Sequence, residues 1–234
     1  MEDQQQQSMS VCDTLVVPSK VLMDSGSVWQ GQGVRLRTVE PSDADAHFVW
    51  NQDSQMMRQL DHVPFPQSRE ATKQVTRNLA WSVERDSGVK ACRTYDHVLR
   101  SWAEKAAAAD GKDDAFHFEI ETHAGELVGV IGTHGCDPRN GTFAYGVAIR
   151  VEHQRQGYAS DAIRVVLRHY FDELRYQKVT VRVYSFNDAS IRLHERLGFQ
   201  REGRLRRMVY TRGQFFDELV FGLTSDEFAA RPAG

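Results

Sequence analysis

The chain reads as an α/β protein built on a mixed, mostly antiparallel central sheet with helices on both faces. Three observations predict this class. Two pairs of segments, residues 116–121, which alternate apolar and polar, with 126–134, and 205–210 with 215–223, each flank a short turn and read as hairpins. Between them, a strand over Phe143–Ile149 leads through a glycine-containing loop into a helix and then a second strand, Val179–Tyr184. Upstream of the first hairpin, helical periodicity takes over from a single leading strand.

In chain order, residues 1–30 mix a glutamine run with Ser, Gly and Pro and read as a flexible arm, with Val17–Leu22 as an alternative edge strand. A single domain spans 31–228, and 229–234 is a tail. Val34–Val39 alternates cleanly as the first core strand, and Pro41, Ser42, Asp43 and Asp45 start a helix that runs to about Asn51. The Asp61–Pro66 lead-in carries two prolines that fix an extended loop. A helix follows over Ser68–Glu84, with Ala71, Val75, Leu79 and Val83 on one face. Residues 86–114 read as a helical insertion, centred on Tyr95–Ala109 and closed by a polar turn. Past the first hairpin, Ala162, Ile163, Val166, Leu167, Tyr170, Phe171 and Leu174 draw one apolar stripe along about four helical turns. Trp50, Trp81 and Trp102 fall on helices and read as core.

The loop before that striped helix, Gln154-Arg155-Gln156-Gly157-Tyr158-Ala159, reads as a pyrophosphate cradle. Glycine allows a tight turn and close approach, and the N–H groups that open a helix have no partner within it. Those N–H groups and the helix dipole favour phosphate oxygens. A lone glycine before a helix serves a surface turn equally well, so a second motif decides. That motif is Asn187-x-x-Ser190-x-x-Leu193-x-x-x-Leu197-Gly198-Phe199, with Asn187 a cap and Gly198 a stop. The ordered pair of motifs resembles the acetyl-CoA-binding core of the GNAT superfamily of acyltransferases. Within it the likeness is to the branch of ribosomal-protein N-terminal acetyltransferases and small-amine acetyltransferases. It covers roughly Val128–Phe228, and more loosely Val34–Val83.

The resemblance implies transfer of an acetyl group from acetyl-CoA to a small-molecule or peptide amine by direct attack. It also implies two central strands that run parallel and splay at the cofactor. Backbone N–H groups from Arg155 through Tyr158 to Ala159, within the Gln154–Ser160 loop, and the Ser160 hydroxyl would hold pyrophosphate. Val147, Ala148 and Ile149 would offer backbone groups to pantetheine and an oxyanion donor, and the Asn187 amide would hold the pantetheine. An alkylamine with a pKa near ~10.4 is mostly ammonium at neutral pH, so a base is needed. Many relatives place a glutamate where this chain has Ala144; the bases left are Glu119, His134, Asp217 and Glu218. For the acid, Ser190 matches the N-terminal-acetyltransferase branch, and His194 stands where many members carry tyrosine, although beside Glu195 and Arg196 it also reads as a partly exposed helix residue. Ser190 is preferred, its alternative being a hydroxyl that bonds its own helix backbone. The rival reading is a non-catalytic acyl-CoA-binding module. A homodimer through the C-terminal strands is a further implication of the likeness.

Composition bounds the rest. With 29 Lys plus Arg against 32 Asp plus Glu, a net charge of −3, there is no basic field for nucleic acid. Arg201, Arg204, Arg206 and Arg207 read as a solvated strand face rather than an anion site. Three widely spaced cysteines argue against a disulfide framework, and nine histidines without a His-Glu-x-x-His pattern argue against a metal. The polar N-terminus lacks a signal peptide's regions and no apolar run approaches the ~20 residues of a membrane span. A cytoplasmic protein is expected, with nuclear residence left open.

Overall fold

The computed structural model describes residues 27–60, 63, 66–81 and 114–231. Its frame is a seven-stranded sheet in the order β1-β2-β3-β4-β5-β7-β6. The strands are β1 (Val34–Thr38), β2 (His117–Thr122), β3 (Leu127–Asp137), β4 (Thr142–Ile149), β5 (Lys178–Tyr184), β6 (Gln200–Thr211) and β7 (Gln214–Thr224). Every neighbouring pair is antiparallel except β4 and β5, joined by a helical crossover and therefore parallel. That parallel ladder covers only Thr142–Ala144 against Lys178–Thr180. Beyond it β4 runs on to Ile149 and β5 to Tyr184 without pairing to each other, so the sheet opens between them.

Two cores cover its faces. On one side Phe143, Tyr145 and Ile149 of β4, Val179, Val181 and Val183 of β5 and Leu219, Phe221 and Leu223 of β7 form one buried cluster with α4 (Tyr158–Arg168) and α5 (Asp188–Leu197). The α4 stripe is closed to solvent at Ala162, Ile163, Val165, Val166 and Leu167. It continues through a π-helical segment, His169–Glu173, that keeps Tyr170 and Phe171 buried. On the other side Val130 and Ala148 pack with Trp50, Met56 and Met57, from α1 (Ala44–Trp50) and α2 (Ser54–Leu60). The helix α2 was not foreseen, although Asp53 announces it by accepting hydrogen bonds from the Gln55 and Met56 N–H groups at 2.8 and 3.1 Å.

Helix α3 (Arg69–Trp81) forms where expected and packs the expected Val75 against the α1–α2 core, with two threonines buried as well. Ala71 is exposed, while Thr72 and Thr76 are buried. The reason is polar: Thr76 Oγ1 lies 3.2 Å from His47 Nδ1, and His47 Nε2 lies 2.8 Å from Glu119 Oε1. Beside this chain Arg37 donates to both Asp43 oxygens at 2.8 and 2.9 Å and to Glu121 at 2.6 Å. The expected insertion at 86–114 lies outside the described residues apart from Asp114, as does the arm up to residue 26. The last part of that arm is no free segment: Trp29 packs edge-on against Phe116 and Phe118, with ring centroids 5.5 and 4.8 Å apart. At the other end α6 (Ser225–Ala229), started by a Thr224–Glu227 capping box, takes over the beginning of the expected tail.

The strap before β1 also sets α4. Asp161 accepts from the N–H groups of Gln32, Gly33 and Val34 at 3.0, 2.7 and 3.1 Å. Three charge-assisted bonds tie the first turn of α4 to the sheet edge. Replacing Asp161 with Ala is expected to cost about 3 kcal/mol, read as a lowered urea midpoint at unchanged m-value.

Candidate functional site

Where β4 and β5 part, a cleft of about 1220 Å³ passes between them. Its first wall is the N-terminus of α4. Arg155 and Gly157 both take left-handed backbone, φ 62° and 89°, and turn the chain sharply into the helix. The first N–H bonded within α4 is that of Asp161, to the Gly157 carbonyl at 3.1 Å. The Tyr158, Ala159 and Ser160 N–H groups precede it, no side chain caps them, and all three residues line the cleft. An uncapped dipole end of this kind suits an anion.

The remaining side chains of the loop serve its shape. Gln154 Nε2 donates to the Ile149 carbonyl at 3.1 Å, and Gln156 Nε2 to the Glu152 carbonyl at 3.4 Å. Ser160 Oγ donates to the Gly157 carbonyl at 2.7 Å, so its proton is already engaged and its hydroxyl offers a phosphate oxygen no free donor. The Ser160 hydroxyl expected to hold phosphate is thus engaged within its own helix turn.

Strand β4 supplies the second wall. The Arg150 N–H bonds the Val128 carbonyl at 2.9 Å, on the β3 side. Amide direction alternates along a strand, so Ala148 also faces β3 while Val147 and Ile149 turn their backbone groups to the open gap. Val147 thus presents a free edge toward the cleft, the Ile149 carbonyl is held by Gln154, and Ala148, with its side chain in the α1–α2 core, is committed to the sheet.

Helix α5 forms the third wall. Asn187 Oδ1 accepts from the Ser190 N–H at 3.1 Å, leaving its amide NH₂ as the group available to a ligand. His194 Nδ1 lies 2.8 Å from the Ser190 carbonyl and 3.3 Å from Ser190 Oγ. A carbonyl only accepts, so Nδ1 carries the imidazole proton, and the Ser190 hydroxyl keeps its own proton for another acceptor. His194 was expected as a partly exposed helix residue, yet it is 3 % exposed. Burial pushes its pKa down to about 4 despite the bond to the Ser190 carbonyl, so the ring is neutral. Its Nε2 and the Tyr145 hydroxyl are both buried with no hydrogen-bond partner among the described residues, and both residues line the cleft. Their rings stack at 5.9 Å. Tyr145 was missed from sequence, although its period-two spacing from Phe143 puts it on the α4–α5 face.

On the opposite face of the sheet the cleft is lined by Gln55 and Gln59 of α2, His134, Ala144, Arg182, Tyr184 and Glu218. Glu119, expected as a base, is not among the lining residues. It is fully buried beneath α1 and α3, where burial raises its pKa against the opposing bond from His47. Asp217 is also outside the cleft, held by the Arg204 side chain and the Arg207 N–H. Among the described residues no three His, Cys, Asp or Glu side chains gather as a metal site, and no helix is long and apolar enough to cross a membrane.

These features accommodate a thioester of coenzyme A: amide donors for pyrophosphate, an open strand edge for an extended amide-bearing arm, and a hydroxyl with a free proton at its far end. Comparison with known proteins agrees. Residues 34–200 match the family profile described as the acetyltransferase (GNAT) domain. The SPbeta prophage-derived uncharacterized N-acetyltransferase YokL of Bacillus subtilis (strain 168) is 34% identical over 201 residues, 86% of this chain and 94% of that protein. In solved structures the fold recurs in a GCN5-related N-acetyltransferase from Brucella melitensis (TM-score 0.61, 22% identity, 86% of this chain and 80% of that one). It recurs also in a spermidine N-acetyltransferase from Vibrio cholerae in complex with CoA and spermine (TM-score 0.61, 17% identity, 84% of this chain and 98% of that one). The chain belongs to the GNAT family of acetyltransferases and is an acetyl-CoA-dependent acyltransferase.

Proposed function

We propose that the protein acetylates a primary amine by direct attack on the thioester, without a covalent enzyme intermediate. One observation carries this reading: the uncapped end of α4 and the Ser190–His194 pair line the same cleft, on either side of the open edge of β4. Bound acetyl-CoA supplies an acetyl group already activated as a thioester. The N–H groups of Tyr158, Ala159 and Ser160 hold the pyrophosphate, with Gly157 and Arg155 shaping the turn. The open edge at Val147 orients the arm, and its N–H stabilises charge that develops on the carbonyl oxygen. Asn187 fixes the start of α5, and Ser190 delivers its hydroxyl proton to the departing sulfur. His194, neutral and fixed in one tautomer, keeps that hydroxyl from being consumed as a donor to the ring.

The acceptor is a small amine, a polyamine, an amino sugar or a peptide N-terminus. The ribosomal branch is supported by YdaF of Bacillus subtilis (strain 168), whose name gives it provisionally as a ribosomal N-acetyltransferase, 26% identical over 58% of this chain and 72% of its own. The polyamine reading is supported by the spermidine N-acetyltransferase fold. A homodimer through the β6 edge is supported by exposed Met208, Tyr210 and Phe215 on the last hairpin.

The test is Ser190→Ala, assayed by thiol release from acetyl-CoA with calorimetric binding in parallel. The variant keeps its backbone N–H for the Asn187 cap, so kcat is expected to fall roughly 10²-fold while acetyl-CoA affinity holds. Turnover unchanged in Ser190→Ala, and again in the double variant with His194→Phe, eliminates this acid.

A further inference from the structure

We infer that the acceptor docks on the α2 face of the cleft, where His134 is the catalytic base that takes its ammonium proton and Glu218 on the far bank receives its positive charge. The inference rests on the acetyl-transfer reading and adds the half of the site which that reading leaves open.

Sheet register places both groups. On β3, Thr133 bonds the Tyr170 hydroxyl at 2.7 Å and so belongs to the α4 face; His134, next along, belongs to the other. It stands directly opposite Ala144 of β4, which is paired in turn with Thr180 of β5, the last rung of the parallel ladder. His134 is therefore beside the apex of the cleft, half-buried and open to it. Glu218 of β7 stands opposite Tyr184 of β5, and Gly222 opposite Thr180, so Glu218 shares the face of His134 across the gap. Its carboxylate side chain is 12 % exposed, and Arg182, which also lines the cleft, is 3.4 Å away and 61 % exposed.

The other bases fall away. Among the described residues that line the cleft, four carry a ring nitrogen or carboxylate that can accept a proton: His134, His153, His194 and Glu218. His153 sits at the phosphate loop, 3.4 Å from Glu126. His194 is on the α5 face, on the other side of the sheet, and Glu218 lies on the far bank of the gap, on β7. Around His134 the faces present His117 from β2, Ala144 from β4, Thr180 from β5, Gln55 and Gln59 from α2, and Glu218 with Arg182 across the cleft.

The ammonium gives one proton to His134; the freed nitrogen bonds to the acetyl carbon as the carbon–sulfur bond breaks, and the electron pair leaves on sulfur. Sulfur takes the Ser190 hydroxyl proton, which the second proton of the nitrogen replaces through solvent. The proton on His134 passes to bulk water, so ammonium and thioester become amide, thiol and one released proton.

The experiment compares wild type, His134→Ala, His134→Gln and Glu218→Gln by thiol release from acetyl-CoA with spermidine, glucosamine and a trialanine peptide as probes, alongside acetyl-CoA calorimetry. For whichever probe turns over, both His134 variants are expected to lose roughly 10²–10³-fold in kcat/KM with acetyl-CoA affinity intact. The acid limb of the pH profile should vanish in His134→Gln, and added imidazole should restore turnover to His134→Ala alone. Glu218→Gln should raise the acceptor KM about tenfold at near-constant kcat, the value of one lost favourable charge contact. His134→Gln within about threefold of wild type, or an unaltered acid limb, overturns the base while leaving acetyl transfer standing; an unchanged KM in Glu218→Gln overturns the docking half. Wild type that binds acetyl-CoA but releases no thiol with any probe removes the acetyl-transfer reading, and His134's role with it.

Discussion

Gly157→Glu is expected to lower acetyl-CoA affinity more than 100-fold while the protein still folds. At φ 89° the backbone is left-handed, which costs an L-residue roughly 1–2 kcal/mol. A carboxylate at a helix N-terminus returns roughly 0.3–1 kcal/mol by meeting the dipole. Stability therefore shifts little. Binding has no such compensation, because the new carboxylate competes for the same Tyr158, Ala159 and Ser160 N–H groups as the pyrophosphate and repels it. Apart from its chain neighbours, nothing lies within 4 Å of the position a Cβ at Gly157 would take, and Gly157 lines the cleft, so the side chain enters the cleft rather than the core. Gly157→Ala separates the two effects: it carries the backbone strain without the charge, and a loss near tenfold is expected, the ~1.4 kcal/mol of one decade. The measurement is calorimetric titration with acetyl-CoA beside a melting curve. If Gly157→Glu binds within threefold of wild type, the end of α4 is not the phosphate site.

The cofactor half of this site was legible because its chemistry is local. Gln154 to Ser160 bend, uncap and start a helix within seven consecutive residues, and Asn187 to Gly198 cap and stop one within twelve. The acceptor half depends on which strands become neighbours. His134 matters through standing opposite Ala144, and Glu218 through sharing a face with Thr180 two strands away, relations set by register and not by adjacency. Period-two alternation correctly put Glu119 on the face opposite Ile120. It does not say that α1 and α3 close over that face, which turns a candidate surface base into a buried partner of His47. For His194 a signal was present: Ile191, His194 and Leu197 recur at threefold spacing on the inward side of α5, but the charged neighbours Glu195 and Arg196 drew the reading toward solvent. Thr72 and Thr76 show the converse: counting only apolar residues found Val75 on the inward side of α3 but not the two threonines, which are buried because a polar network needs a hydroxyl.

Acidification is expected to destabilise the fold well above the pH at which carboxylates titrate. Burial lowers the His194 pKa to about 4 and that of His117, whose two ring nitrogens are closed to solvent, to about 3. In the unfolded chain both histidines take a proton near pH ~6.5. Between that value and the folded pKa values the unfolded state binds about two more protons, so stability falls by up to ~2.7 kcal/mol per pH unit of acidification. The contribution is fully present above pH ~6.5, is lost as pH drops toward 4, and levels off for His194 below its folded pKa. Two carboxylates add a loss of the same sign at lower pH. Burial works against Asp43 and Glu121, but bonds from Arg37, with the Glu40 N–H on Asp43 and Arg35 on Glu121, hold both below their usual range. Glu119 opposes them, because burial raises its pKa and the folded state keeps a proton there that the unfolded state releases. Urea unfolding followed by tryptophan fluorescence at about pH 7, 6 and 5 should show a falling midpoint at constant m-value, and His194→Gln should flatten that slope by about half. A midpoint that does not move over this range means that neither ring is held neutral. For His194 the consequence reaches the chemistry: a ring that charges in the folded state would turn its buried Nε2 from a bare acceptor into a donor beside the Tyr145 hydroxyl, so acid stability and the poise of the Ser190 proton test the same tautomer.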